Sequence, residues 1–260
     1  MINKSLTCIH PEAIIGKNVT IWPFVTIDKN VVIGDNTEVY SHAVILSGAR
    51  IGENCKIFPG AIVSGNPQDL KFAGEESTCE IGNYTTIREC ATVNRGTISK
   101  GKTVVGNHCL IMAYSHIAHD CVLKDYVIVG NTTQLAGEVE ADDYAIISAG
   151  TLVHQFSRIG MHVMIQGGSR IGKDIPPYIT AGREPLTYSG VNVVGLRRRG
   201  FTTEQIGNIQ EIYRVLYQSG LNNSDAVKQI EATIPDSLEK ENILSFVINS
   251  KRGIIRGYLE

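Results

Sequence analysis

Residues 105–130 read VGNHCL IMAYSH IAHDCV LKDYVI VG when cut into sixes. The first place of each hexad holds Val105, Ile111, Ile117, Leu123 and Val129. The fifth holds Cys109, Ser115, Cys121 and Val127. Extended from Ile9 to Ile171, the same grid has 28 first positions, and 24 of them are Ile, Leu or Val; the exceptions are Asp69, Glu75, Ser99 and Ala141. Fifth positions stay small or β-branched, as in Ala13, Val19, Val25, Ala43, Ala61, Thr133 and Ala145. Gly recurs at the second place, in Gly16, Gly34, Gly52, Gly82, Gly106, Gly130, Gly160 and Gly172, where it is expected to give a tight corner its backbone freedom. A period of six fits neither an amphipathic helix nor a hairpin sheet. It fits a parallel β-helix with one short strand and one corner per hexad, and with three hexads per coil. The aliphatic residue then fills the prism, and coils stack at the parallel-strand spacing of ~4.8 Å.

Working outward, the grid breaks at 64–80 and at 99–104 and resumes in phase each time, which predicts two loops thrown out from a rigid scaffold. It stops after Ile171. Pro176-Pro177 marks the exit, and a turn-rich linker follows through Gly182, Pro185 and Gly190. Thr202 with Gln205 reads as a capping box opening a helix with an apolar stripe at Ile206, Ile209, Tyr213, Leu216 and Tyr217. Further helices are predicted over 225–233 and from 238 to about 250. The expected fold is therefore all-β plus a small α part. A parallel β-helix spans 1–190 with its two loops, and a C-terminal helical domain spans 191–260.

Composition narrows the function. A net charge of -2 argues against a general nucleic-acid binder, and no apolar run approaches the ~18 residues of a membrane span. Residues 1–10 do not read as a signal peptide, so a cytoplasmic protein is expected. None of the six cysteines forms a Cys-x-x-Cys pair. Cys55, Cys109 and Cys121 occupy the small fifth place, which predicts packing, not metal binding or thiol catalysis.

None of the seven histidines falls at place one or five, so all should lie outside the prism or at its corners. His119 is followed by Asp120, a carboxylate able to hold an imidazole in one tautomer and stabilise its charged form. Residues 18 apart stack, so Gly137 and then Gln155 lie in the column of His119. A base beside an open backbone N–H suits attack on a carbonyl with an oxyanion to stabilise. Asp69 and Lys71 sit on the first loop; read alone, they are an exposed ion pair or a ligand contact. Arg197-Arg198-Arg199 is either solvated charge or a phosphate-binding fork. Lys251, Arg252 and Arg256 add basic charge that could face an acidic protein.

The non-repeat motifs carry a resemblance along almost the whole chain. They include Pro67-Gln68-Asp69-Leu70-Lys71, Arg95-Gly96-Thr97, His116-Ile117-Ala118-His119-Asp120, Leu135-Ala136-Gly137, Val153-His154-Gln155-Phe156 and Gly195-Leu196-Arg197-Arg198-Arg199-Gly200-Phe201. In this order they resemble the UDP-N-acetylglucosamine O-acyltransferases of lipid A biosynthesis. The resemblance implies left-handed coiling and a homotrimer with sites between subunits. It implies His119 as general base, Asp120 as its orienter and the Gly137 amide as oxyanion donor. It puts Asp69, Lys71, His116 and His154 near the sugar, and Gln155, Asn192, Arg198 and Arg199 near the nucleotide. Gly167 lies at the floor of the acyl groove. The implied donor is a 3-hydroxyacyl thioester of acyl carrier protein, and no cofactor or metal is implied because the thioester is already activated. Three positions depart from the family pattern: Glu138 and Asn94, where many or some members have His, and Val194, where an acidic residue is common. They leave both a hydroxyl and an amine open at position 3 of the sugar.

Rival readings are an N-acyltransferase or a coenzyme A-dependent acetyltransferase on the same fold, a zinc hydratase, and a non-catalytic solenoid. The N-acyltransferase typically carries a domain before the repeat, which here begins by Ile9. The hydratase needs three His from stacked coils, and the column of His119 holds Gly137 and Gln155. The solenoid needs flat Thr rows, which the irregular outward positions lack.

Overall fold

The computed structural model describes residues 6–257; residues 1–5, part of the segment read above for a signal peptide, and 258–260 lie outside it. Short strands of mostly two residues coil into a left-handed parallel β-helix with three faces. Face one runs from Cys8–Ile9 through His116–Ile117 to Arg170–Ile171. Face two runs from Ile14–Ile15 to Arg158–Ile159. Face three runs from Thr20–Ile21 through Met164–Ile165 to Thr187–Val191. Up to Arg170–Ile171, strands on one face are three places apart in the chain, so each coil visits the three faces once; only Ile179–Gly182 and Thr187–Val191 break this rule.

The register explains why the grid keeps its phase. Ile117 faces Leu135, 18 residues on. Val63 faces Val93 at 30, and Val93 faces Ile117 at 24. The excess over 18 is 12 residues in one coil and 6 in the next, both whole hexads. The first excursion is narrower than 64–80, because strands Ile62–Gly65 and Thr78–Ile81 bracket it and leave 66–77. The second closes before strand Lys102–Val105. Both leave from the corner between faces one and two.

First-place residues such as Ile57, Ile87, Ile111 and Leu135 are wholly buried in the prism. So are the fifth-place Cys55 and Cys121, with Cys109 nearly so. Burial pushes the Cys109 and Cys121 thiols up to about 12, so both remain protonated packing groups at neutral pH.

The second-place glycines have a different reason from the one expected. Left-handed backbone falls at the fourth place, on Asn18, Asn36, Asn54, Asp120 and Glu138 with φ of 55°, 56°, 56°, 60° and 60°. Asn and Asp tolerate that region best among residues with a side chain. The glycines from Gly16 to Gly160 are instead demanded by close approach, whereas Gly172, at the end of the grid, meets nothing within 4 Å. A Cβ on Gly34 would lie 2.6 Å from the Gly52 carbonyl carbon, and one on Gly82 2.6 Å from that of Gly106.

The linker also holds more structure than its turn residues suggest. Strands Ile179–Gly182 and Thr187–Val191 pair antiparallel and extend face three. A short helix α1, Val193–Arg198, then carries two of the three consecutive arginines and ends at Arg199. Helix α2, Thr203–Gln218, opens with the expected reciprocal capping box: Thr202 N–H donates to Gln205 Oε1 at 2.9 Å, and Gln205 N–H to Thr202 Oγ1 at 3.1 Å. Helices α3, Asn223–Thr233, and α4, Leu238–Ile248, complete the cap.

Fourth-place aromatics stack between faces two and three as Tyr84, His108, Tyr126, Tyr144 and His162, and Tyr178, beyond the grid, ends the row. His162 lies outside the prism yet is only 8% exposed, because Phe201 packs edge-on against it at 5.1 Å. Burial, aided by the Arg199 charge, lowers its pKa to about 4. The unfolded chain, titrating near 6.5, binds more protons between those values, so stability falls as pH drops through that window. His162→Phe should keep the stack and remove about 2 kcal/mol of the stability lost between pH 7 and pH 5. Urea midpoints at the two pH values check this; an unchanged pH dependence would contradict it.

Candidate active site

The corner between faces one and two holds the candidate residues. Strand His116–Ile117 ends there, and the chain turns through Ala118, His119 and Asp120 before entering face two. His119 Nδ1 lies 2.8 Å from Asp120 Oδ2, so the ring donates there through Nδ1–H and leaves Nε2 as the free nitrogen. Asp120 is wholly buried. Burial alone would raise its carboxyl pKa, but hydrogen bonds from Thr97, His119 and Lys100 reverse this and hold it below the usual carboxylate range. An imidazole kept in one tautomer by an ionised carboxylate results.

Gly137 lies one coil on, against the face of that ring. A Cβ there would stand 2.6 Å from His119 Cε1 and 2.7 Å from Nε2, so only glycine lets the ring sit where it does. The backbone stitches the two coils: Glu138 N–H donates to the His119 carbonyl at 3.0 Å. Among the described residues the Gly137 N–H makes no hydrogen bond. A free base nitrogen and an unengaged amide thus border one groove of about 690 Å³.

Gln68, His116, Gln134, His154, Gln155 and Arg170 also line this groove. His116 Nδ1 is 2.7 Å from Thr92 Oγ1, and burial together with the neighbouring His119 holds His116 below the usual imidazole range. His154 Nδ1 donates to the Gln155 carbonyl at 3.0 Å. Asp69 and Lys71 stand on the loop that delivers Gln68, where Lys71 N–H donates to Asp69 Oδ1 at 3.0 Å; neither side chain lines the groove. Gln134 and Arg170 were missed in the sequence. They lie 18 and 54 residues after His116, in its own column, so the stacking arithmetic could have found them. Gly167 sits at the next corner, between faces three and one, with Ala149 O 3.0 Å from where its Cβ would be.

The remaining expected residues are elsewhere. Asn192 caps α1: its Oδ1 accepts from Gly195 N–H at 3.1 Å, and its Nδ2 donates to the His162 carbonyl at 2.8 Å. Arg199 lies 4.9 Å over the Tyr144 ring, and Arg198 is exposed. All three stand at the corner between faces two and three, one full face from His119. A second groove, about 660 Å³, runs along face two without a histidine. Several of its charges are already engaged: Lys124 pairs with Asp142 at 2.6 Å, and Asp125 accepts from Asn107 N–H at 2.8 Å.

Comparison with known proteins assigns the family. Residues 174–255 match the profile of UDP-N-acetylglucosamine O-acyltransferase domain 2, and residues 102–137 match the bacterial transferase hexapeptide repeat. The acyl-[acyl-carrier-protein]–UDP-N-acetylglucosamine O-acyltransferase of Thiobacillus denitrificans is 43% identical over 191 residues, covering 73% of this chain and 74% of that protein. The chain belongs to the UDP-N-acetylglucosamine O-acyltransferase family. The family enzyme of Pseudomonas syringae pv. tomato is 42% identical over 75% of this chain and 76% of its own. Among solved family structures, the Bacteroides fragilis enzyme is 59% identical with a TM-score of 0.97, covering 98% of this chain and 100% of that one. The Francisella novicida enzyme is 42% identical with a TM-score of 0.94, covering 97% and 93%.

The three departures from the family pattern are also placed. Glu138 Oε1 accepts from Ser99 Oγ at 3.0 Å, Asn94 is buried below the first loop, and Val194 is exposed on α1.

Proposed function

We propose that this chain transfers an (R)-3-hydroxyacyl group from acyl carrier protein to the 3-position of UDP-N-acetylglucosamine, the opening step of lipid A biosynthesis. The observation that carries the reading is the His119 ring, packed on Gly137, anchored by Asp120 through Nδ1 and facing the groove with Nε2. The sugar 3-hydroxyl gives its proton to Nε2 while its oxygen attacks the thioester carbon. The Gly137 N–H accommodates the oxyanion of the tetrahedral intermediate. Collapse expels the carrier's thiolate, which takes the proton back from Nε2. Asp120 stays ionised throughout and stabilises the transient imidazolium. The thioester supplies the activation, so these residues suffice without a metal or cofactor.

The same reading makes the working unit a homotrimer in the cytoplasm. Asn192, Arg198 and Arg199 stand one face away from His119, so one nucleotide sugar reaches both groups where two copies meet. Asp69, Lys71, His116 and His154 serve the sugar, and Gln155 the nucleotide. The carrier's acidic surface suits Lys251, Arg252 and Arg256; Arg252 donates to the Gly172 carbonyl at the groove's rim at 2.9 Å. Among the described residues no helix is long and apolar enough to cross a membrane. The test is thiol release from 3-hydroxyacyl carrier protein with and without UDP-N-acetylglucosamine. Release that depends on the sugar supports the reading; equal release without it, or with coenzyme A thioesters only, contradicts it.

Gly167 is the proposed end of the acyl groove. Gly167→Met should shift preference toward shorter donors, because a long tail must displace the new side chain or leave methylenes in water. Each excluded methylene loses ~0.8 kcal/mol, so about four cost ~3 kcal/mol, more than a hundredfold in selectivity. The ratio of rates with ten- and fourteen-carbon donors reads this directly. An unchanged ratio would make Gly167 a corner residue only.

A further inference from the structure

The six-residue excursion at the corner below His119 folds over Asp120. Thr97 Oγ1 donates to Asp120 Oδ2 at 2.6 Å, and Thr97 N–H to Oδ1 at 3.0 Å. Lys100 N–H donates to Oδ1 at 3.2 Å, and Asp120 N–H donates to Thr103 Oγ1 at 2.8 Å. Oδ2 is therefore shared between the Thr97 hydroxyl and His119 Nδ1. The excursion is braced on both sides. Ile98 N–H donates to Glu75 Oε1 at 3.0 Å, and Arg95 lies 5.2 Å over the Phe72 ring, both on the loop that carries Asp69 and Lys71. Upward, Ser99 Oγ donates to Glu138 at 3.0 Å and Lys100 Nζ pairs with Glu140 at 3.0 Å.

We infer that Thr97 is a positioning residue for the reaction, acting on His119 through Asp120. A carboxylate with one hydrogen-bond partner can rotate; one held by three donors besides the histidine presents Oδ2 along a single direction. The hydroxyl also draws charge from the oxygen that grips the ring. Without it, Oδ2 holds a proton on the Asp120–His119 pair more strongly. The acidic limb of the pH–rate profile should then move to higher pH. The other titratable groups around the pair are His116, Lys100, Glu138 and Glu140, and a Thr97 substitution leaves them in place.

This inference rests on the proposed base role of His119, so the test separates the two. Thr97→Val should lower kcat by about 10- to 100-fold, the worth of a hydrogen bond to a charged group, with KM for both substrates nearly unchanged and the acidic limb displaced upward. Thr97→Ser should restore both. Thr37→Val, which removes a comparable buried hydroxyl far from the site, should do neither. If Thr97→Val does not fold, Thr97→Ala carries the same comparison. Ring 15N shifts of His119 in the unliganded protein give a readout independent of turnover: one Nδ1–H tautomer in the parent, a mixture in the variant. An unmoved profile with kcat and Tm falling and KM rising together, or equal damage in Thr97→Ser, would overturn the inference. A parent inactive with acyl carrier protein but with the tautomer still governed by Thr97 would instead sink the functional reading alone.

Discussion

His119→Ala should remove nearly all turnover while leaving the coil intact. The ring sits outside the prism, its side chain is 19% exposed, and the first-place residues beneath it do not depend on it. Loss of a general base typically lowers kcat by roughly 10²–10⁴-fold. The loss should fall on kcat and not on KM, because the Gly137 amide and the rest of the groove remain. Circular dichroism and size-exclusion profiles should match the parent. Activity within a few-fold of the parent in such a folded variant would remove His119 from the mechanism.

Gly137→Ala should be nearly as damaging, for a reason visible only in the structure. Gly137 is not in the left-handed region, so alanine adds no backbone strain there. Its methyl would nonetheless lie 2.6–2.7 Å from two atoms of the His119 ring, well inside contact distance. The ring must swing away from Asp120, or the corner carrying the amide must shift. Displacing an oxyanion donor alone costs about 10²–10³-fold in kcat, and a misplaced base adds to it. Nucleotide-sugar binding should survive, since the proposed nucleotide contacts Gln155, Asn192, Arg198 and Arg199 are untouched. Wild-type kcat in a folded Gly137→Ala protein would mean that the amide and the ring do not act together.

The prism was legible in the sequence because one six-residue rule governs both packing and corner geometry. Stacking at 18 placed Gly137 over His119 before any coordinates. The same rule misled at the second-place glycines: a recurring Gly looks alike whether it serves a positive φ or a close backbone contact, and only the distance to the next coil separates the two. Thr97 was quoted in a motif but given no role, since excursions have no grid and their path depends on which buried carboxylate they satisfy. Helix α1 was missed because Val193-Val194-Gly195 are weak helix formers, and the helix is secured by the Asn192 cap and by the burial of Leu196. The distance of Asn192 and Arg199 from His119 was hidden for the same reason, as no repeat arithmetic extends beyond Ile171.

The most direct test is tandem mass spectrometry of the product formed from (R)-3-hydroxyacyl carrier protein and UDP-N-acetylglucosamine, run with the parent and with His119→Ala. The account predicts a single product from the parent, acylated on the 3-oxygen of the glucosamine, with one carrier thiol released per product, and a rate of formation roughly 10²–10⁴-fold lower with the variant. Acylation at another position, hydrolysis of the thioester without transfer, or the same product at the same rate from His119→Ala would contradict it.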